Sequence, residues 1–381
     1  MPSADASRNN SNVLASLEIG RGIAALLVCA YHLAYLAYEY YGAYPLANMF
    51  RAGHCGVEYF FVLSGFIIYY SHSTDLGRRE MLGNFALKRA IRIYPLYLLI
   101  FFPLAAAYIA APSLSEQGEF TPISMLADAL LLPHNSRMVL GVAWTLKHEL
   151  VFYAIFALAI GFKRVRLYAV LAWMTAIVVW NIAYWNIDTG PRGPILFSTY
   201  NLGFGLGVAA AHLARTHPLP RPVLVLLTGC AAFIGLMTYE WTIGRHMPHD
   251  DIPLGSKLSP ILYSLAASLV ILGGASLDLR GAFRATRFTA IFGGSSYALY
   301  LLHAPAASFL VRLMKATKLP LGPELAFILL MAAVIAASIF THMFIEKPML
   351  KWLRARLLPR KPTASAISSS DIAKRSRGAE A

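Results

Sequence analysis

The chain has 381 residues, 57% hydrophobic and only 14% charged, with a formal net charge of +14. A soluble domain carries nearer a quarter charged residues, and repeated apolar runs of about 20 residues complete the case for an all-α, polytopic membrane bundle. The basic residues fall in alternate loops between apolar segments, which argues against a nucleic-acid partner and for charges that set orientation in a lipid bilayer.

Residues 1–13 form a polar N-terminal segment, and no small-residue cleavage site follows a short apolar core. The first span is therefore expected to be kept rather than removed as a signal peptide. That span, near 16–38, carries Arg21 and His32 eleven residues apart. Eleven residues are about three helical turns, so both side chains project from nearly one face, about 16 Å apart along the axis. A charge inside a span costs about 2.5–3.5 kcal/mol on insertion scales, so it points to a partner or a task.

Nine further spans are predicted near 54–72, 93–112, 142–162, 167–186, 194–213, 222–240, 257–276, 288–311 and 323–346. The apolar piece from Ile123 to Pro133 is too short to cross and reads as re-entrant or interfacial. No internal repeat is visible, which weakens an inverted-repeat transporter reading. Cys29, Cys55 and Cys230 are too few for a disulfide framework. The loop Arg245 to Asp251 holds His246, His249 and Asp250, but without a helical frame it is expected to bind no metal. Residues 353–381 are basic and polar and are expected to form a disordered tail.

Positive charge then chooses the topology. One set of loops holds Arg78, Arg79, Lys88, Arg89, Arg92, Lys163, Arg164, Arg166, Arg215, Arg221, Arg280, Arg284 and Arg287, and the opposite set is sparser. Both termini are expected in the cytoplasm. At 1.5 Å per residue, Arg21, Arg89 and Arg92 then lie at the cytoplasmic mouth, and His32 lies near mid-depth. Glu149 lies roughly 10 Å below the outer surface, and His303 lies in the outer half of span nine.

The stretches Leu17-Glu18-Ile19-Gly20-Arg21 closed by Tyr31-His32, Gly56-Val57-Glu58-Tyr59-Phe60-Phe61-Val62-Leu63-Ser64-Gly65-Phe66 and Arg89-Ala90-Ile91-Arg92-Ile93-Tyr94-Pro95 form an ordered set. Trp144-Thr145-Leu146-Lys147-His148-Glu149 with Phe152-Tyr153, and Ser296-Tyr297-Ala298-Leu299-Tyr300-Leu301-Leu302-His303, complete it. Together they resemble the acyltransferase 3 family of membrane proteins, which O-acylate bacterial polysaccharides and related glycans. The resemblance covers about residues 14–352, the membrane domain. It departs at Glu58, where the family usually has Asp, and at Ile19-Gly20, where Gly-Leu is commoner.

The resemblance implies an acyl-CoA donor, usually acetyl-CoA, and a glycan or lipid-linked saccharide acceptor. It also implies a multi-pass protein of the bacterial inner membrane with a ten-span core. Some members carry an added hydrolase-like domain, and the chain is expected to act without one.

Acyl transfer to a hydroxyl needs a base, a grip on the donor and stabilisation of an oxyanion. His32 is the candidate base, because imidazole takes and returns a proton near neutral pH. Glu149 is the candidate to orient His32, against the alternative of an ion pair with Lys147 or Arg137. Arg89 and Arg92, three apart on a helix, face one way and suit the donor's phosphates, with Arg21 as a third cation. Glu58, Ser296, Tyr300 and His303 are candidates for acceptor binding, against helix packing and interhelical locks. Two other readings stand beside this one, a transporter of lipid-linked sugars or small amphiphiles and an acylase of small glycosides. Oligomeric state is not legible.

Overall fold

The computed structural model describes residues 14–114, 120–134, 136–165, 168–185, 194–245, 247–248, 251–317 and 321–358. Among them there is no β-strand. The long helices are α1 (Ala15–Tyr41), α2 (Gly56–His72) and α3 (Leu82–Ala110), then, beyond the short α4 (Pro122–Ala129), α5 (Trp144–Gly161) and α6 (Tyr168–Ala183). After them come α7 (Leu202–Thr216), α8 (Pro222–Gly244), α9 (Leu258–Leu279), the short α10 (Arg287–Gly294), α11 (Ser296–Ala316), α12 (Pro323–Thr341) and α13 (Lys347–Leu357). Among the described residues eight helical stretches are long and apolar enough to cross a membrane, while the two further expected spans correspond to the shorter α6 and α7, at 16 and 15 residues.

Four boundaries differ from expectation, each for a local reason. Helix α3 begins at Leu82 rather than near 93, so Arg89 and Arg92 stand two to three turns inside it. Its first turns need no apolar surround, because their aromatic and basic side chains pack on neighbouring helices. Helix α7 begins at Leu202, since 195–197 and 199–201 fold as separate 3₁₀ turns. Asn201, fully buried, fixes these turns by donating to Ile195 O at 2.7 Å. The ninth span breaks at Ser295 into α10 and α11. Thr286 caps α10 by accepting from Thr289 N at 3.1 Å, and a side chain at Gly293 would collide with Glu18 of α1.

The fourth difference is at the C-terminus. Five residues with π-helical bonding, His342–Glu346, join α12 to α13, and α13 runs on to Leu357. Residues 353–357 therefore belong to the folded helix rather than to a tail. The remainder of the expected tail, from 359, lies outside the described residues, as do His246, His249 and Asp250 of the metal-candidate loop.

Helices α2 and α7 pack backbone to backbone. A Cβ on Gly65 would meet Phe204 O, and one on Gly207 would meet Val62 O, so each helix lets the other in through glycine. Gly203 and Gly207 form the G-x-x-x-G spacing that permits such approach between membrane helices. This contact fixes α2, which carries Glu58 and Ser64, against the rest of the bundle.

The short α4 is pinned rather than floating. Asp128, fully buried, receives Lys147 Nζ at 3.3 Å, His134 Nε2 at 2.5 Å and the Val139 amide at 2.9 Å. Its carbonyl accepts from the Tyr97 hydroxyl at 2.6 Å.

Substitution Gly207→Val should cost about 1–3 kcal/mol through overpacking against Val62. A thermal-unfolding scan of the purified protein in nanodiscs should show a lowered midpoint, whereas Gly235→Val, whose Cβ would meet nothing within 4 Å, should leave the midpoint near wild type.

Candidate active site

A cavity of about 590 Å³ opens at the basic end of the bundle. Its charged lining is Glu18, Arg21, Lys88, Arg89, Arg92, Glu149 and Arg354, drawn from α1, α3, α5 and α13. The start of α1, the first third of α3 and the last turn of α13 thus meet at one end of the molecule.

Two of the arginines are held by acids. Arg21 Nη1 lies 3.3 Å from Glu18, one turn away on the same helix, while its Nε donates to Ser296 Oγ at 3.0 Å. The break before α11 makes this second bond possible, because it sets Ser296 at the helix start. Arg92 Nη1 lies 2.9 Å from Glu346, and its guanidinium rests 4.6 Å from the centre of the Tyr297 ring. Glu346 is almost wholly buried and also accepts from His342 Nδ1 at 2.7 Å. Short π-helical stretches recur at functional sites, where they re-aim a side chain. Here the stretch ends on Glu346.

Arg89 is held differently. Its guanidinium sits between the rings of Phe85 and Tyr153, at 5.9 and 5.8 Å. Its Nε is buried without a hydrogen-bond partner among the described residues. Such a donor carries a desolvation cost of about 1–3 kcal/mol, which an anionic ligand would relieve.

Glu149 does not orient His32. Its Oε1 accepts from Ser64 Oγ at 3.1 Å and from the Tyr153 hydroxyl, so it belongs to the arginine cavity. It does not pair with Lys147 either, since that ammonium goes to Asp128. His148 turns away to Asn201, 2.8 Å distant.

His32 meets His303 instead. His32 Nδ1 lies 2.9 Å from Val28 O and 3.3 Å from His303 Nε2, and His303 Nδ1 lies 3.1 Å from Leu299 O. A carbonyl only accepts, so each neutral ring carries its proton on Nδ1. His32 Nδ1–H is then shared between Val28 O and His303 Nε2, leaving His32 Nε2 with a free lone pair. A base needs that form.

The histidine pair lies just beyond the cavity, not in its lining. Tyr300 and Phe60 do line it, with their ring centres 5.9 Å apart. Tyr300 packs against the His303 ring at 5.9 Å and donates to Val142 O at 3.0 Å, with Thr145 Oγ1 2.9 Å away. Ser296 sits with the cations through Arg21, at the opposite end from the expected acceptor site.

Glu58 is fully buried, and neither carboxyl oxygen has a hydrogen-bond partner among the described residues. One turn before it, His54 Nε2 lies 2.9 Å from Glu240, which also accepts from Ser259 and Tyr263, each at 3.1 Å. The His54 ring packs edge-on to Tyr31, beside His32. Neither Glu240 nor Glu346 is a sequence-stretch residue of the resemblance. Yet each is an acid within an otherwise apolar span, a signal that flags a partnered or working group.

Comparison with known proteins gives the family. The family model described as an acyltransferase domain matches residues 14–343. The chain belongs to the acyltransferase 3 family. It is a multi-pass membrane acyltransferase. The exopolysaccharide production protein ExoZ of Rhizobium meliloti is 28% identical over 329 residues, spanning 83% of this chain and 96% of that protein. Acyltransferase MdmB of Streptomyces mycarofaciens is 25% identical over 389 aligned residues, covering 93% of this chain and 95% of its own. Protein 2 in the picA locus of Rhizobium radiobacter is 28% identical over 157 residues, covering 36% of this chain and 77% of its own. No solved structure matches.

The Lys147–Asp128 pair gives a test of how α4 is anchored beside the site. Lys147→Met removes the ammonium from a buried carboxylate that keeps only His134 and the Val139 amide, and should destabilise by about 1.5–3 kcal/mol. Adding Asp128→Asn should recover much of that loss. Equal midpoints for the single and double variants would show that the pair does not couple.

Proposed function

We propose that this acyltransferase moves an acetyl group from acetyl-CoA to a hydroxyl of a cell-surface or lipid-linked glycan at the bacterial inner membrane. One observation carries the reading: a cation-rich cavity at the basic end of the bundle is lined by Tyr300, which packs on His303, the partner of an imidazole with a free Nε2. The name of the exopolysaccharide production relative supports a glycan acceptor, and positive-inside charge supports a cytoplasmic cavity mouth.

Arg21, Arg89 and Arg92 grip the donor's phosphates, because guanidinium forks match phosphate oxygens and Arg89 holds a buried donor in reserve. Glu149 stands above them with Oε2 unshared by Ser64 and Tyr153, and offers an acceptor to the amide N–H groups of the pantetheine arm. That arm passes between Phe60 and Tyr300, whose side chains turn aside to let the thioester reach His32.

His32 Nε2 takes the proton of the attacking hydroxyl. The new C–O bond forms, the C–S bond breaks, and the same proton passes to the departing thiolate. His303 accepts from His32 Nδ1 throughout, holding the ring in the basic tautomer and spreading the charge of the imidazolium. Glu58, with two unused acceptor oxygens, and Tyr300 receive the acceptor sugar from the outer side. No metal takes part in this scheme.

The test uses membranes or nanodiscs, labelled acetyl-CoA and the cell's own surface glycans. Wild type should label glycan. His32→Ala should lower the rate by about 10²–10⁴, the usual contribution of a general base. His303→Phe should cost less, and Arg89→Ala should raise the KM for acetyl-CoA more than it lowers kcat. Undiminished labelling by His32→Ala would falsify the scheme. A carrier of lipid-linked sugars would consume no acetyl-CoA and would tolerate Arg89→Ala.

A further inference from the structure

The cavity has a cation that the three-arginine grip does not use. Arg354 lies on α13, eight residues after Glu346, which is about 12 Å along a helix axis. It lines the same cavity as Arg21, Arg89 and Arg92, and among the described residues it forms no ion pair.

Its depth sets it apart. Arg354 is exposed, Lys88 beside it in the lining is half-buried, and Arg21 and Arg92 reach further in toward Ser296 and Tyr297. The Arg92–Glu346 pair fixes the helix that carries it, because Glu346 ends the π-helical stretch from which α13 starts. Arg354 is therefore held at the rim by the same carboxylate that holds Arg92 inside.

The chemistry of the donor has a matching order. With the thioester deepest, the pantetheine arm comes next, then the diphosphate, and the 3′-phosphate of the ribose lies furthest out. An outermost cation with no acid of its own meets the outermost phosphate. We infer that Arg354 binds the 3′-phosphate of coenzyme A and makes the site prefer coenzyme A over its 3′-dephospho form. Lys88 assists at the rim, and the inner arginines hold the diphosphate common to both forms.

This inference rests on the donor proposed above, and the test separates the two. Full-length protein in nanodiscs is titrated with coenzyme A and with 3′-dephospho-coenzyme A, and both Kd values are measured by calorimetry. Wild type should bind coenzyme A about tenfold more tightly. Arg354→Ala should weaken coenzyme A by that factor and leave the dephospho form unchanged, so the ratio falls to about one. Arg354→Lys should restore part of the preference. Arg356→Ala serves as the control, since Arg356 stacks on Trp352 at 4.9 Å and does not line the cavity, and it should keep the wild-type ratio.

An unchanged ratio in Arg354→Ala, or equal weakening of both ligands, overturns the role of Arg354 and leaves the donor standing. Failure of wild type to bind either form overturns both.

Discussion

Cations placed within an apolar bundle must be compensated, and the way this protein compensates them organises its basic end. Glu18 answers Arg21 from the same helix, one turn away. Glu346 answers Arg92 from the far end of the chain, so that one ion pair ties α3 to the junction of α12 and α13. Arg89 has aromatic faces in place of an acid. Pairs of this kind need not add net stability, since desolvation consumes much of the Coulomb gain, but removing one partner is costly. They act mainly as registers. They decide which guanidinium is neutralised by protein and which retains charge for a ligand.

The opposite half follows another rule. There the polar groups are imidazoles, carboxyls and hydroxyls with few cations among them. His32 and His303 settle each other's tautomers through backbone carbonyls, and Glu240 gathers His54, Ser259 and Tyr263 around one buried carboxylate. In the proposed reaction, the guanidinium-lined region would bind phosphate and the imidazole-lined one would handle protons. Tyr300 belongs to both regions, as it lines the cavity and touches His303.

Much of this was legible in the sequence. Hydropathy alone located the eight long apolar helices, because an apolar run has few alternatives in a membrane. The spacing of Arg21 and His32 put both on the side that faces α11, where Ser296 and His303 receive them. Helix ends were less legible. The start of α3 is amphipathic and owes its helicity to packing, and the break at Ser295 follows from the close approach of Gly293 to Glu18. Partners across the bundle were least legible. Nothing local in Glu149 shows that it bonds Ser64, 85 residues earlier, rather than His32, and nothing near Arg92 announces Glu346. Arg354 looked like ordinary basic tail because positive-inside charge and a ligand site draw on the same residue types at the same depth.

The interruption between α10 and α11 carries a consequence for how the two ends are spaced. Helices α1 and α11 are joined twice, by Arg21 to Ser296 at one level and by His32 to His303 at another. Ser296 begins its helix and His303 lies seven residues on, about two turns, so one short stretch of α11 sets the separation between the guanidinium end and the imidazole pair.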